Sequence, residues 1–319
     1  MTPQGFAAGR AGSSRLIVTG CDAGYFPLAR QCVLSVIERV RGVDVAVLDL
    51  GLDDEQREFF RAHGVRVRAA DLSVPPGVEL AQRGAFSRPL LPQLFPDHEL
   101  LMWLDADTVV FQGGAVEDFF AASLGGAIAI VPELHHAYHR YGATEPRLNA
   151  LHLRAQASRW RGRQAWLRGP ISYDPYRSLY GETVAERLAF RPSLNTGVLA
   201  LRRDAKAWAL WARELGRAEP EALPKFHDQA AMNVAVDLHD LPVETLSATH
   251  NWLIAKALPL ADPDGRSLRA PSPDRESIGI LHFAGLPRDR ELVLETTTGG
   301  RLQVPPAQLL EELKALAPA

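Results

Sequence analysis

Apolar positions along the chain recur at two alternating periods. RLIVTG is a continuous apolar run that reads as a buried strand, and Leu28, Cys32, Val36 and Val40 follow it at helical spacing. DVAVLDL is a second strand, DDEQREFFRAHG a helix with Asp53 near its start and Gly64 at its end, and VRVRAADL a third strand. RPLLPQLFP predicts a short helix carrying Arg88, ELLMWLDA a strand, VEDFFAASL a helix and AIAIVPE another strand. This alternation predicts an α/β chain whose mostly parallel central sheet is flanked by helices, with ligands gathering beyond the carboxyl ends of the strands.

The pattern breaks near Glu133. From there to about Phe190 the sequence is aromatic, basic and irregular, and 133–190 is expected to be an insert or subdomain. RPSLNTGVLALRR then restores a strand, followed by a helix from Asp204 to about Gly216 and another around HDQAAMNVAVDL. A strand near VETLS, a loop rich in Pro, Asp and Ser from Leu258 to Asp274, the strand SIGILHF and a C-terminal helix complete the chain. Residues 1–14 read as a flexible tail and 15–319 as a single domain without internal repeats.

Bulk properties narrow the function classes. A chain of 319 residues that is 46% hydrophobic can bury a sizeable core. Its 35 basic residues nearly balance 38 acidic ones, so no global positive field is available to hold nucleic acid. The most continuous apolar run, around Leu124 to Val131, is far short of the roughly 20 residues that cross a membrane, and the first fifteen residues contain no apolar signal segment. A cytoplasmic protein without a transmembrane segment is the expectation. Cys21 and Cys32 are too few for a disulfide framework and are expected to be buried and reduced.

Candidate chemistry centres on WLDADTVV. Asp105 and Asp107 stand two apart at the end of an apolar strand, so an extended chain would project both carboxylates from one face. They could share a hard cation such as Mn²⁺ or Mg²⁺, or serve only as turn and capping residues. In SIGILHFAG, His282 at a strand end could supply an imidazole ligand, and Gly285 could let the backbone approach a phosphate. Asp22 and Tyr25 follow the first strand, where they could address a base or initiate the next helix. Asn195 and Gly197 enter a strand, and Asp228 and Gln229 open a helix whose dipole favours a carboxylate there. The histidines His135, His136 and His139 raise a second metal site against the simpler reading of a polar cleft lining or an exposed helix. Between 146 and 173, Arg147, Arg154, Arg159, Arg161, Arg163 and Arg168 interleave with Trp160 and Trp166 and include no acidic residue. That field would suit a phosphorylated or membrane-associated partner, or simply form a solvated helix face.

Taken in order, DAGY, Arg88, LDAD, NTGVLAL, HDQ and HFAG resemble the retaining glycosyltransferases of family eight, which include glycogenin and bacterial lipopolysaccharide galactosyltransferases. The resemblance spans about residues 16 to 288, with Arg88 seventeen residues before Asp105. It implies a GT-A fold and transfer of a hexose from a UDP-glucose or UDP-galactose type donor, with retention, to an unidentified glycan, lipid-linked or phosphorylated acceptor. It further implies Mn²⁺, with Mg²⁺ as the alternative, on Asp105, Asp107 and His282. Asp22 and Tyr25 would address the uracil, the Ala106 backbone the ribose, and Arg88 and Asn195 the donor sugar or phosphate. Asp228 would fix sugar hydroxyls and Gln229 would lie near the anomeric carbon. The family's closing H-F-x-G-x-x-K-P-W becomes HFAGLPRDR, which puts Arg288 where Lys is usual, near the diphosphate, and loses Pro-Trp. A sugar nucleotidyltransferase would need a Gly-rich, Arg-containing loop after the first strand, and TGCDAGYF lacks one. A noncatalytic nucleotide-sugar-binding protein on the same fold is the remaining alternative.

Overall fold

The computed structural model describes residues 13–70, 80–140, 173–188, 191–217, 227–263, 265–286 and 290–316. In chain order the first strands are β1 (Arg15–Cys21), β2 (Asp44–Asp49), β3 (Arg66–Ala69), β4 (Leu100–Leu104) and β5 (Thr108–Val110). They are followed by β6 (Ile128–Pro132), β7 (Leu194–Arg202) and β8 (Val243–Thr245). All of these except β5 form one sheet in the order β3-β2-β1-β4-β7-β6-β8. Only β7 runs antiparallel to its neighbours, so the sheet is mostly parallel, as the alternation predicts.

Both faces of the sheet are buried because successive strand residues point to opposite sides. Leu16, Val18, Leu101 and Trp103 join one core with the helices Ala207–Leu215 and His227–His239, while Ile17, Leu100, Met102 and Leu104 join another with Phe26–Arg39 and Gly113–Ser123. Each fully buried apolar side chain contributes about 1.5–3 kcal/mol. The helix Asp54–Ala62 starts at a reciprocal cap, in which Asp53 Oδ1 accepts from Gln56 N at 2.8 Å and Gln56 Oε1 from Asp53 N at 3.2 Å. Gly64 follows its end at φ +74°, a conformation that costs glycine little.

The segment carrying Arg88 differs from the single short helix expected. A helix over Leu80–Ser87 passes into a 3₁₀ turn, Arg88–Leu90, and then the helix Leu91–Leu94. Pro89 and Pro92 stand at the starts of the last two pieces, where their missing N–H groups are tolerated.

The C-terminal third holds more strand than its sequence suggests: β9 (Trp252–Leu253), β10 (Leu260–Ala261), β11 (Leu268–Arg269), β12 (Ile280–His282), β13 (Leu292–Thr296) and β14 (Arg301–Val304). β5, β12 and β9 make a three-stranded sheet, and β11-β10-β13-β14 a four-stranded one. The loop from Leu258 to Asp274 therefore contributes two strands. The hairpin β13–β14 buries Leu292, Leu294, Leu302 and Val304 in a core shared with the helix Leu309–Leu316 and with Trp252 and Leu281. None of the helices among the described residues is long and apolar enough to cross a membrane.

Candidate functional site

At the end of β4 the chain turns. Asp105 O accepts from Thr108 N at 3.0 Å and from Thr108 Oγ1 at 2.8 Å, after which β5 leaves the main sheet to pair with β12. Residues 105–107 are thus not extended, and the turn, rather than strand alternation, brings the two carboxylates together. The register Thr108↔His282 then sets His282 beside them. His282 Nε2 lies 3.3 Å from Asp107 Oδ1 and 3.6 Å from Asp105 Oδ2. One ligand atom from each residue falls within 4.8 Å of the others, and among the described residues no other trio of His, Cys, Asp or Glu is so arranged.

Burial pushes the Asp105 carboxyl up, against the pull of Arg88 and His282. At Asp107 burial would also raise the carboxyl, but His282, a backbone hydrogen bond and Arg88 together hold it low. Burial would lower the His282 imidazole, but Asp107 and Asp105 together raise it. Two carboxylates converging on one imidazole form a mixed O/N donor set that fits Mn²⁺, with Mg²⁺ a harder second choice.

Arg88 braces the opposite side of the centre. Its guanidinium donates from Nη2 to Asp105 Oδ1 and from Nη1 to Asp228 Oδ2, and also reaches Thr196 Oγ1 at 3.2 Å. It stacks 5.2 Å from the Trp103 ring centroid, and Trp103 Nε1 donates to Asp105 Oδ1 at 2.7 Å. Asp228, in the first turn of His227–His239, also accepts from Thr196 Oγ1 at 2.9 Å. Burial would raise this carboxyl, yet Arg88, together with His227, Thr196 and the Gln229 N–H, holds it below the ordinary range.

Asn195 and Thr196 are consecutive in β7 yet both line the same cleft. The cause is a bulge: Ile130 pairs with Leu199 and Val131 with Asn195, so Thr196, Gly197 and Val198 are extra residues against β6. A Cβ at Gly197 would lie 2.2 Å from His282 Cε1 and 2.8 Å from Asp105 Oδ2, so only glycine leaves room for the centre. Gly197 O also accepts from Asp105 N at 2.7 Å.

Behind the cleft is a hydrogen-bonded group that no sequence motif announces. Glu133, at the end of β6, accepts at Oε1 from Asn195 Nδ2 at 2.9 Å and from Gln229 Nε2 at 3.0 Å, while its Oε2 pairs with Lys256 Nζ at 2.6 Å. Gln229 Nε2 also donates to Ser193 Oγ at 2.9 Å, and its Oε1 accepts from Asn195 Nδ2 at 3.1 Å. Burial would raise the Glu133 carboxyl, but Lys256 and these donors hold it low. A carboxylate at a strand end is the only local signal.

One cleft of about 670 Å³ contains every predicted site residue that falls among the described ones: Asp22, Tyr25, Arg88, Asp105, Ala106, Asp107, Asn195, Asp228, Gln229, His282 and Gly285. Asp22 Oδ1 accepts from Tyr25 N at 2.9 Å, so it shapes the turn into the first helix while lining the cleft. Gly285 has φ +78°, and a Cβ placed there would meet nothing nearer than 3.9 Å. Arg288 lies outside the described residues, as do the arginines of 147–168. His135 bonds Glu276 Oε2 at 3.3 Å and stacks on His136, an arrangement that gathers no further metal ligand among the described residues. Cys21 and Cys32 are buried and free, and burial pushes the Cys32 thiol up to about 12.

No protein-family model matches the sequence, and no curated protein matches it. Solved structures do. The galactosyltransferase LgtC, in complex with donor and acceptor sugar analogues, aligns over 95% of this chain and 96% of its own at 14% identity and a TM-score of 0.53. The glycosyltransferase GlyE of Streptococcus pneumoniae aligns over 95% of this chain at 15% identity and a TM-score of 0.52, and the bifunctional glycosyltransferase WbbM over 88% at 14% and 0.51. The chain spans 60% of the GlyE structure and about half, 47%, of WbbM. With its mostly parallel sheet and an Asp-x-Asp turn at the edge of the cleft, the chain has the GT-A fold of these glycosyltransferases.

Proposed function

We propose that this protein is a Mn²⁺-dependent glycosyltransferase that moves a hexose from a UDP-sugar to an acceptor hydroxyl with retention of configuration. The observation that carries the reading is the convergence of Asp105, Asp107 and His282 at one point of a cleft that also contains Arg88, Asp228 and the Asp22–Tyr25 loop. Asp105, Asp107 and His282 would hold the cation, which when bound neutralises charge developing on the diphosphate.

The protein's own groups supply the rest. Asp22 accepts from the uracil edge, Tyr25 stacks on the base, and the Ala106 backbone meets the ribose. Gly285 lets the backbone approach the diphosphate from the β12 side. Asp228 and Arg88, already ion-paired, present fixed polar groups to the sugar hydroxyls and need little reorganisation when the donor binds. Gln229, its amide fixed through Glu133, Ser193 and Asn195, would lie near the anomeric carbon. Glu133 is engaged with Lys256, Gln229 and Asn195 and is absent from the cleft lining, so it makes no nucleophile. In this reading the acceptor oxygen attacks from the face the leaving group departs: its bond to the anomeric carbon forms as the carbon–phosphate oxygen bond breaks, and its proton passes to that phosphate oxygen.

A thermal-shift titration with UDP, with and without Mn²⁺, followed by a donor-hydrolysis assay, tests the reading. At a ligand concentration of about 100 Kd the expected stabilisation is about 2.7 kcal/mol, and it should require the metal. Binding with no turnover over a broad acceptor panel would favour a noncatalytic binding protein, and no UDP binding would reject the donor. A covalent sugar–enzyme adduct would overturn front-face attack.

A further inference from the structure

The ring nitrogen of His282 that faces away from the two aspartates is engaged: Nδ1 lies 2.9 Å from Asn251 Oδ1. Asn251 is 1% exposed and sits directly before β9, the strand that pairs with β12. Its amide orientation is fixed from the far side. Asn251 Nδ2 donates to Asn195 Oδ1 at 2.9 Å, and that same oxygen accepts from the backbone N–H of Gly197 at 3.0 Å. The main-chain donor requires an oxygen at this corner of Asn195. The other corner must be the NH₂ group, because it faces Glu133 Oε1 and Gln229 Oε1. Two independent partners thus set the Asn195 amide, which forces the Asn251 NH₂ towards Asn195 and the Asn251 carbonyl towards His282.

A carbonyl at that place can only accept. The Nδ1 of His282 must then carry its proton, and in the neutral ring Nε2 is left with a lone pair aimed between Asp105 and Asp107. We propose that Asn251 is a positioning residue for the metal centre: it selects the imidazole form and ring orientation in which His282 Nε2 can ligate, and Asn195 holds it in register. Both acceptor sites of Asn195 Oδ1 and both Nδ2 hydrogens are used within the protein, so Asn195 acts through Asn251 and Gln229. The inference rests on the metal reading above.

The test is Mn²⁺ affinity, measured by titration calorimetry on the metal-free protein without nucleotide. Asn251→Leu keeps the branched shape and removes the acceptor, and should weaken Mn²⁺ binding about 10–100-fold. Asn251→Asp retains an acceptor for Nδ1–H and should bind Mn²⁺ more tightly than the leucine variant. Thr249→Val, also buried in the same segment but bonded to Ser247 rather than to His282, should bind like wild type. If Asn251→Leu does not fold, the smaller Asn251→Ala should show the same loss. Wild-type affinity in the folded leucine or alanine variant, or equal affinity in the leucine and aspartate variants, overturns the proposal. Absence of Mn²⁺ binding by the wild type overturns the metal reading itself.

Discussion

Replacing Gly197 by alanine puts a methyl carbon 2.2 Å from His282 Cε1, 2.9 Å from His282 Nδ1 and 2.8 Å from Asp105 Oδ2. Ordinary contact begins near 3.4 Å, so the ring must retreat by about 1.2 Å (3.4 minus 2.2). It has little room to do so, being 3% exposed and tied at Nδ1 to Asn251. Metal–ligand distances tolerate only about 0.2 Å, so His282 leaves the coordination sphere. Losing an outer partner of a ligand already costs about 10–100-fold in metal affinity, and losing the ligand should cost at least about 100-fold. Overpacking should lower folding stability by about 1–3 kcal/mol, which leaves a folded protein to measure. Calorimetric titration of Mn²⁺ into the metal-free variant, with circular dichroism to establish folding, gives the answer. A folded Gly197→Ala protein that binds Mn²⁺ within about threefold of wild type, a difference under 1 kcal/mol, would refute the geometry.

Arg88→Ala strands the buried Asp228 carboxylate and should cost about 3–5 kcal/mol in urea unfolding, whereas Arg88→Lys should restore part of this because one ammonium cannot span Asp105 and Asp228 as the guanidinium does. Equal stability of all three proteins would contradict the brace. Asp22→Ala should weaken UDP binding about tenfold or more through loss of a charged acceptor, while Asp22→Asn keeps the turn bond to Tyr25 N and separates the local structural effect from recognition. Unchanged UDP affinity in both would take Asp22 out of the base site. Glu133 is held below the ordinary glutamate range, so its contribution to stability is complete above about 4.3, the unfolded value, and is lost as pH falls through the lower folded value. The stability gap between wild type and Glu133→Gln should therefore be largest near pH ~7 and shrink near pH ~3 in urea melts. A constant gap would show that charge plays no part there.

The long, strongly patterned elements are legible in the sequence: β1, β2, β4, β6 and β7 and the helices Phe26–Arg39, Asp54–Ala62 and Gly113–Ser123 have the periods their burial requires. β5 is not, because three residues that finish one apolar run and start a new sheet carry no period of their own. The metal residues are legible as residue types, but the reason Asp105 and Asp107 converge is not, since a turn and a strand exchange replace the expected extended pair. Glu133 and Asn251, which complete the supporting network, carry almost no local signature. Glu133 meets Asn195 and Gln229 across 62 and 96 residues, and Asn251 meets Asn195 and His282 across 56 and 31. Each is a polar residue whose meaning depends on a partner that only the folded chain supplies.

The carboxylate of Asp105 shows how these supports can coexist with an occupied centre. Its Oδ1 takes bonds from Arg88 and Trp103, and its Oδ2 faces His282. A cation between Oδ2, Asp107 and His282 Nε2 therefore need not displace Arg88. The same guanidinium stays bound to Asp228, so the metal side and the sugar side of the cleft remain joined through one rigid cation while charge at the centre changes. Lysine in place of Arg88 would have to choose between the two carboxylates, and either choice uncouples the halves. For this reason the Arg88→Lys variant should keep Mn²⁺ affinity close to wild type while losing donor turnover, a separation that simple loss of positive charge would not produce.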